Sequence, residues 1–185
     1  DVLLMTATPI PRTLTMTIYG DMDLSIIREK PNVRKPIKTY SKLESKINDV
    51  IQFVKKEIKL GNQIFWVCPL IEESKKFDHT SSIIRSEYLK KLFPNEVFLL
   101  HGKTTFDEKE IILNKFLKKE FKILVSTTII EVGIDFPNAN VIIIENANKF
   151  GLSQLHQLRG RVGRGNKESS CILMFKSNLS DNAKK

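Results

Sequence analysis

From about residue 36 onward the sequence alternates short apolar runs with longer segments of helical periodicity, and no other feature constrains its fold as strongly. Strands separated by helical segments pair in parallel, and a parallel sheet must be covered by helices on both faces. The apolar runs predict strands at residues 37–40, 63–67, 97–100, 122–125, 141–144 and 170–175. The expected fold class is therefore α/β: three layers, with a mostly parallel six-strand sheet between helices.

Helix signals fit between these runs. Ser41 with Glu44 forms a capping-box pattern ahead of Ile47, Val50, Ile51, Val54 and Ile58 at helical spacing, and Gly61 supplies a stop. Thr105 with Glu108 repeats the pattern ahead of Ile112, Leu113, Phe116 and Leu117. A third helix is expected over about residues 81–92.

Residues 1–35 read differently, as a strand, the turn Pro9-Ile10-Pro11, a short helix to Tyr19 and an apolar stretch at 24–27. Pro31 and Pro36 flank the basic stretch Asn32-Val33-Arg34-Lys35, which has the composition of a linker. The expected division is 1–35 and 36–185. Because residues 1–5 read as the middle of a buried strand, the chain is expected to have been cut out of something larger.

Composition sets the partner class. Hydrophobic residues make up 41% and charged residues 28%, the range of a globular protein. Thirty Lys and Arg against 21 Asp and Glu give a formal charge of +9, which favours polyanions through counterion release, although a generally lysine-rich composition gives the same number. The apolar runs fall far short of the roughly 20 residues of a membrane span, and no signal peptide precedes them, so a cytoplasmic protein without membrane contact is expected. Cys68 and Cys171 form no CxxC pair and are expected to be reduced, buried and structural, with no metal site.

The segment Gln157-Leu158-Arg159-Gly160-Arg161-Val162-Gly163-Arg164-Gly165 packs three arginines and three glycines into nine residues. Guanidinium groups stabilise charge on a transferring phosphoryl group, and glycines let the backbone approach phosphates. A flexible basic surface turn has the same composition. The order GxxGxG mimics a reversed dinucleotide fingerprint, but it follows a helical segment, so a dehydrogenase reading fails on context. Upstream, Thr127-Thr128-Ile129-Ile130-Glu131-Val132-Gly133-Ile134-Asp135 follows a predicted strand, where hydroxyls emerge at the carboxyl edge of the sheet. Such a turn can also simply cap a helix. His101-Gly102 follows another strand, and a histidine there is commonly a structural hydrogen bonder. Gly102-Lys103-Thr104 imitates the end of a GxxxxGK[ST] loop, but the first glycine would have to occupy position 97, which is Val97. No DExH or DExD box occurs.

With these residues in view, the chain resembles superfamily 2 helicases. Gln157, Gly160, Arg161 and Arg164 match motif VI, QxxGRxGR, position by position. The stretch ending at Asp135 resembles motif V, residues 64–74 resemble motif IV, and Thr6-Ala7-Thr8 resembles motif III. The motifs stand in family order. The form Thr6-Ala7-Thr8-Pro9-Ile10-Pro11-Arg12-Thr13 narrows the resemblance to the RecG family and its relative, the transcription-repair coupling factor; residues 19–24, 34–37, 68–74 and 152–157 resemble RecG more closely.

The resemblance implies a RecA-like lobe of the P-loop NTPase type at 36–185, with 1–35 as the tail of a first lobe. It implies that Arg161 and Arg164 act on ATP phosphates as arginine fingers, and that Gln157, Gly160, Gly133 and Asp135 lie by the nucleotide. Thr127, His101 and Gly102 would contact nucleic-acid phosphates, and Thr6, Ala7 and Thr8 would couple the lobes. ATP and Mg2+, bound mainly by the first lobe, are the implied cofactors. The implied partners are DNA in the form of forks, Holliday junctions and branched duplex, together with the first lobe and a wedge domain. The implied activity is ATP-dependent helicase action on that DNA, with this lobe inactive alone. A non-hydrolysing nucleic-acid-binding module is the alternative, in which both arginines serve only DNA phosphates.

Overall fold

A computed structural model of the chain describes residue 25 and residues 35–69, 77–127 and 136–177. The expectations for residues 1–34, including motif III at Thr6, Ala7 and Thr8, lie outside these apart from residue 25, as do Gly133 and Asp135 of motif V and the end of motif IV.

Among the described residues, six strands form one sheet: β1 (Ile37–Leu43), β2 (Gln63–Val67), β3 (Val97–Leu100), β4 (Ile123–Ser126), β5 (Ala139–Ile144) and β6 (Ser169–Phe175). Their order is β1-β6-β5-β2-β4-β3, and every pairing is parallel. The helices are α1 (Ile47–Lys59), α2 (Phe77–Leu92), α3 (Phe106–Leu117) and α4 (Leu152–Arg159). Right-handed crossovers send the chain one way across the sheet through α1 and α2 and back through α3 and α4, so each pair covers its own face.

Strand alternation follows from this layering. On central β2, Ile64 and Trp66 cluster with Val50 and Val54 of α1 and Leu89 of α2, whereas Phe65 and Val67 cluster with Leu113 and Phe116 of α3 and Leu158 of α4. All five β2 residues are buried, and each large apolar side chain so covered contributes about 1.5–3 kcal/mol. The buried amide of Gln63 donates to the carbonyls of Phe116 and Phe121 at 2.6 and 3.1 Å, closing the end of α3.

The strands at 37–43, 123–126, 139–144 and 169–175 differ from expectation by one or more residues at an end, and one helix signal fails. The Ser41–Glu44 capping box does not form, because Ser41, Lys42 and Leu43 stay extended, paired with Leu173, Met174 and Phe175 of β6. A 3-10 turn, Glu44–Lys46, intervenes, and α1 begins at Ile47 without a side-chain cap. The stop is as expected: Gly61 takes φ +75°, and the Gly61 and Asn62 N–H groups return to the Ile58 and Glu57 carbonyls. The Thr105–Glu108 capping box forms in full. Helix α2 starts at Phe77, four residues before the expected position.

Candidate functional site

A parallel sheet has two unlike edges, and the candidate residues divide between them. At the carboxyl edge, β2 runs into Cys68-Pro69, β3 into His101-Gly102, β4 into Thr127, β5 into Glu145-Asn146 and β6 into Lys176. The backbone N–H of Cys68 donates to the Ser126 carbonyl at 2.9 Å, and that of Thr127 donates to the Leu100 carbonyl at 3.3 Å. These bonds hold three strand ends in line.

The turn after β3 is organised by His101. Its Nδ1 accepts the Lys103 N–H at 3.2 Å and lies 3.3 Å from the Thr104 hydroxyl, while its own backbone N–H donates to Thr104 Oγ1. With Nδ1 accepting, the neutral ring carries its proton on Nε2. His101 therefore shapes the turn that exposes Gly102 and Lys103. Between the ends of β1, β2, β5 and β6 lies an open cleft of about 700 Å³, lined in part by Ser45, Asn146, Asn148, Lys149 and Lys176. Asn146 adopts a left-handed conformation, φ +45°, which turns the chain sharply out of β5.

Helix α4 leads back across the sheet, so the glycine-arginine segment lies at the amino edge. Gln157 is in its last turn and Gly160 is its C-cap residue. Val162 is 2% exposed and anchors the turn in the core, with half-buried Arg161 and Arg164 on either side of Val162-Gly163. Two glycines are sterically required here. Gly163 has φ +76°, and a Cβ would meet Ile37 of β1 at 3.0 Å; at Gly165 a Cβ would lie 2.7 Å from the Pro137 carbonyl oxygen. Beyond them Lys167 Nζ donates to Asn62 Oδ1 at 3.1 Å, and Lys38 pairs with Glu168 at 2.7 Å. That pairing raises the Lys38 pKa and lowers the Glu168 pKa, chiefly through the hydrogen bond.

The structure thus gathers Thr127, His101 and Gly102 at one edge and Gly160, Arg161 and Arg164, with Gln157 close by, at the other. Strands of four to seven residues separate the two groups, roughly 13–23 Å at the usual rise of about 3.3 Å per residue. One ligand-sized pocket does not hold both.

Sequence reasoning missed Asn62, Lys149, Lys167 and Lys176, and also the cluster in which Glu145 accepts from Trp66 and Arg85. Lys149 and Lys176 could have been found by reading the residues just beyond the end of each strand, because that is where the carboxyl edge is built. Cys68 and Cys171 are both buried free thiols. Burial pushes both thiols up, Cys171 to about 11, so neither is a nucleophile at neutral pH. Among the described residues no three His, Cys, Asp or Glu side chains could together hold a metal ion, and no helix is long and apolar enough to cross a membrane.

Comparison with known proteins fits this geometry. Residues 45–166 match the helicase conserved C-terminal domain family. The chain is 51% identical over 176 residues to the ATP-dependent DNA helicase RecG of Bacillus subtilis, covering 94% of this chain and 26% of that protein. It is 53% identical over 173 residues to the RecG of Aquifex aeolicus, covering 93% and 22% respectively. The chain therefore spans about a quarter of the length of these relatives. A solved structure of RecG bound to a three-way DNA junction matches with a TM-score of 0.79 and 44% identity, over 96% of this chain and 23% of that one. With two thirds of its length inside the family match and nearly all of it aligned with RecG, this chain belongs to the helicase conserved C-terminal domain family and is of the RecG type.

Proposed function

We propose that this chain works as the second motor lobe of an ATP-dependent DNA helicase that remodels stalled forks and branched junctions, with residues 1–35 the tail of a first lobe. The observation that carries the proposal is the turn at 160–165. Two arginines are held there on a backbone that two close-packed glycines make rigid, at the sheet edge remote from the turns suited to DNA phosphates. Preorganised charge of this kind acts where charge redistributes during phosphoryl transfer.

Arg161 and Arg164 would meet the ATP phosphates across a cleft, and the nucleotide would be cradled from the other side. No GxxxxGK[ST] loop occurs within residues 1–185, so that cradle belongs to the first lobe. The guanidinium donors fit phosphate oxygens. The described residues contain no carboxylate cluster that would fit Mg2+, so its ligands too would come from the first lobe. When bound, ATP would supply the phosphoryl group lost to water. The residues of this lobe would bind and orient those phosphates and favour the transition state, in which charge has redistributed over the phosphoryl oxygens.

DNA would lie along the carboxyl edge, contacted by Thr127, the His101-Gly102 turn and the lysines of the neighbouring cleft. RecG in the solved relative is bound to a three-way DNA junction, which supports branched duplex as the partner.

The test uses a protein that holds both lobes. Arg164→Ala and Arg161→Ala should each lower DNA-stimulated ATP turnover by about 10³-fold, with nucleotide affinity much less affected. If both variants keep normal turnover but bind DNA more weakly, with a shallower salt dependence, the segment is a DNA patch and a non-hydrolysing binding module replaces this reading.

A further inference from the structure

The amino edge contains a connection that none of the sequence motifs includes. Asn62 follows the left-handed Gly61 at the turn between α1 and β2, and it is 6% exposed. Its Oδ1 accepts from Lys167 Nζ at 3.1 Å and from Asn140 Nδ2 at 3.4 Å. Its Nδ2 donates to Glu57 Oε2 at 2.6 Å, and its backbone N–H donates to the Glu57 carbonyl. The next residue, Gln63, donates its N–H to the Asn138 carbonyl at 2.9 Å.

These partners belong to two different chain segments. Lys167 ends the loop that carries Arg161 and Arg164, and it lies three residues beyond Arg164. Asn138 and Asn140 come just after the segment that ends at Asp135, and Pro137 of that same turn is the one against which Gly165 is packed. One buried amide thus joins the loop that carries both arginines and the start of β5 to helix α1.

We infer that Asn62 and Lys167 are positioning residues that hold the Arg164 loop at a fixed place for phosphoryl transfer. The inference rests on the reading of Arg164 as a finger. Lys167 touches no reacting group in this scheme. It sets the reach of the loop, and Asn62 fixes Lys167. Displacements of about 1 Å at such a group are enough to lower turnover substantially. Because Lys167 is exposed, replacing it leaves the core intact.

The experiment is a kinetic cycle in the two-lobed protein. Lys167→Ala should lower kcat for DNA-stimulated ATP hydrolysis by about tenfold, with the ATP KM and the melting temperature unchanged. Lys167→Arg, which can still donate to Asn62, should recover most of the loss. In an Arg164→Ala background, Lys167→Ala should cause no further loss, because the group it positions is gone. Asn62→Ala should show the same dependence on Arg164, and Lys167→Ala keeps the test valid if that variant folds poorly.

Wild-type turnover in Lys167→Ala, or an equal loss with and without Arg164, overturns the positioning role. Normal turnover in Arg164→Ala alone overturns the finger reading instead, and the inference falls with it.

Discussion

Arg85 of α2 bonds Glu145 at the end of β5 through its guanidinium, with only 20% and 12% of their side chains exposed. Trp66 donates its indole N–H to the same carboxylate, and the guanidinium lies over the Trp66 and Tyr88 rings at 5.8 and 5.6 Å. A helix, two strand ends and an aromatic pair therefore depend on one carboxylate. Removing one partner of a largely buried pair leaves a charge and an indole N–H without compensation. Glu145→Ala should lower the free energy of unfolding by about 3 kcal/mol, and Arg85→Met by less, since the methylene stem still covers Trp66. Urea titration checks both, and a loss under about 0.5 kcal/mol for Glu145→Ala, the size of an exposed pair, would refute the account.

Gly165→Ala should be the more damaging of the two glycine substitutions at the amino edge, because the atom it would strike is the Pro137 carbonyl oxygen, part of the backbone. At Gly163 the conflict is a left-handed φ plus a flexible Ile37 side chain. Both should destabilise the lobe by about 1–3 kcal/mol, and both should move the arginines enough to lower turnover in the two-lobed protein. Crystal structures of the variants with an unshifted 160–168 loop would contradict this.

Acid stability should depend on Thr105. The Glu108 carboxylate is held below its ordinary pKa, first by the Thr105 backbone N–H and then by its hydroxyl. A lowered carboxylate pKa stabilises the fold fully above the unfolded-state value, about 4.3, and the contribution is lost as pH falls through the folded value. The difference in melting temperature between the wild type and Glu108→Gln should hold steady from pH 7 to about 5 and narrow below about pH 4. A difference that widens in acid would reverse the sign of the argument.

Lys149 and Lys176 line the carboxyl-edge cleft. In the two-lobed protein, replacing either by Ala should weaken duplex binding alike for all sequences and reduce the slope of log affinity against log salt by about one. On the proposed reading Thr127→Ala would remove one neutral phosphate contact, about 1 kcal/mol, and should leave the salt slope unchanged while impairing the coupling of hydrolysis to movement. Fluorescence anisotropy across a salt series separates the two outcomes.

The layered fold was legible because the buried strands β2 and β5 carry short apolar runs, Ile64 to Val67 and Val141 to Ile144, that stand out between segments of helical periodicity. The end of β1 was not, since Ser41 and Glu44 carry a sound local helix signal that pairing with β6 overrides. The arginine turn could be located from composition, and the need for Gly163 and Gly165 emerged only with Ile37 and Pro137 beside them. Asn62 was invisible for the same reason: its partners Asn140 and Lys167 stand 78 and 105 residues away. Local pattern names the segments that fold; it does not name the residues that tie one segment to another.

The pairing of β1 with β6 also governs how the lobe can be made. Lys38 and Glu168, whose side chains pair where β1 meets the start of β6, are 130 residues apart, and β1 has β6 as its neighbour at the sheet edge. During synthesis β1 leaves the ribosome early and must wait for nearly the whole lobe before its ladder can form. Contacts of such long range form slowly, because the loop-closure entropy comes before the gain. Until then its unpaired N–H and C=O groups are open to other chains, and Lys38 and Lys42 along it supply the charge that discourages such pairing. Truncation before Ser169 would therefore do more than remove one strand: it would leave the first strand of the lobe permanently without its partner.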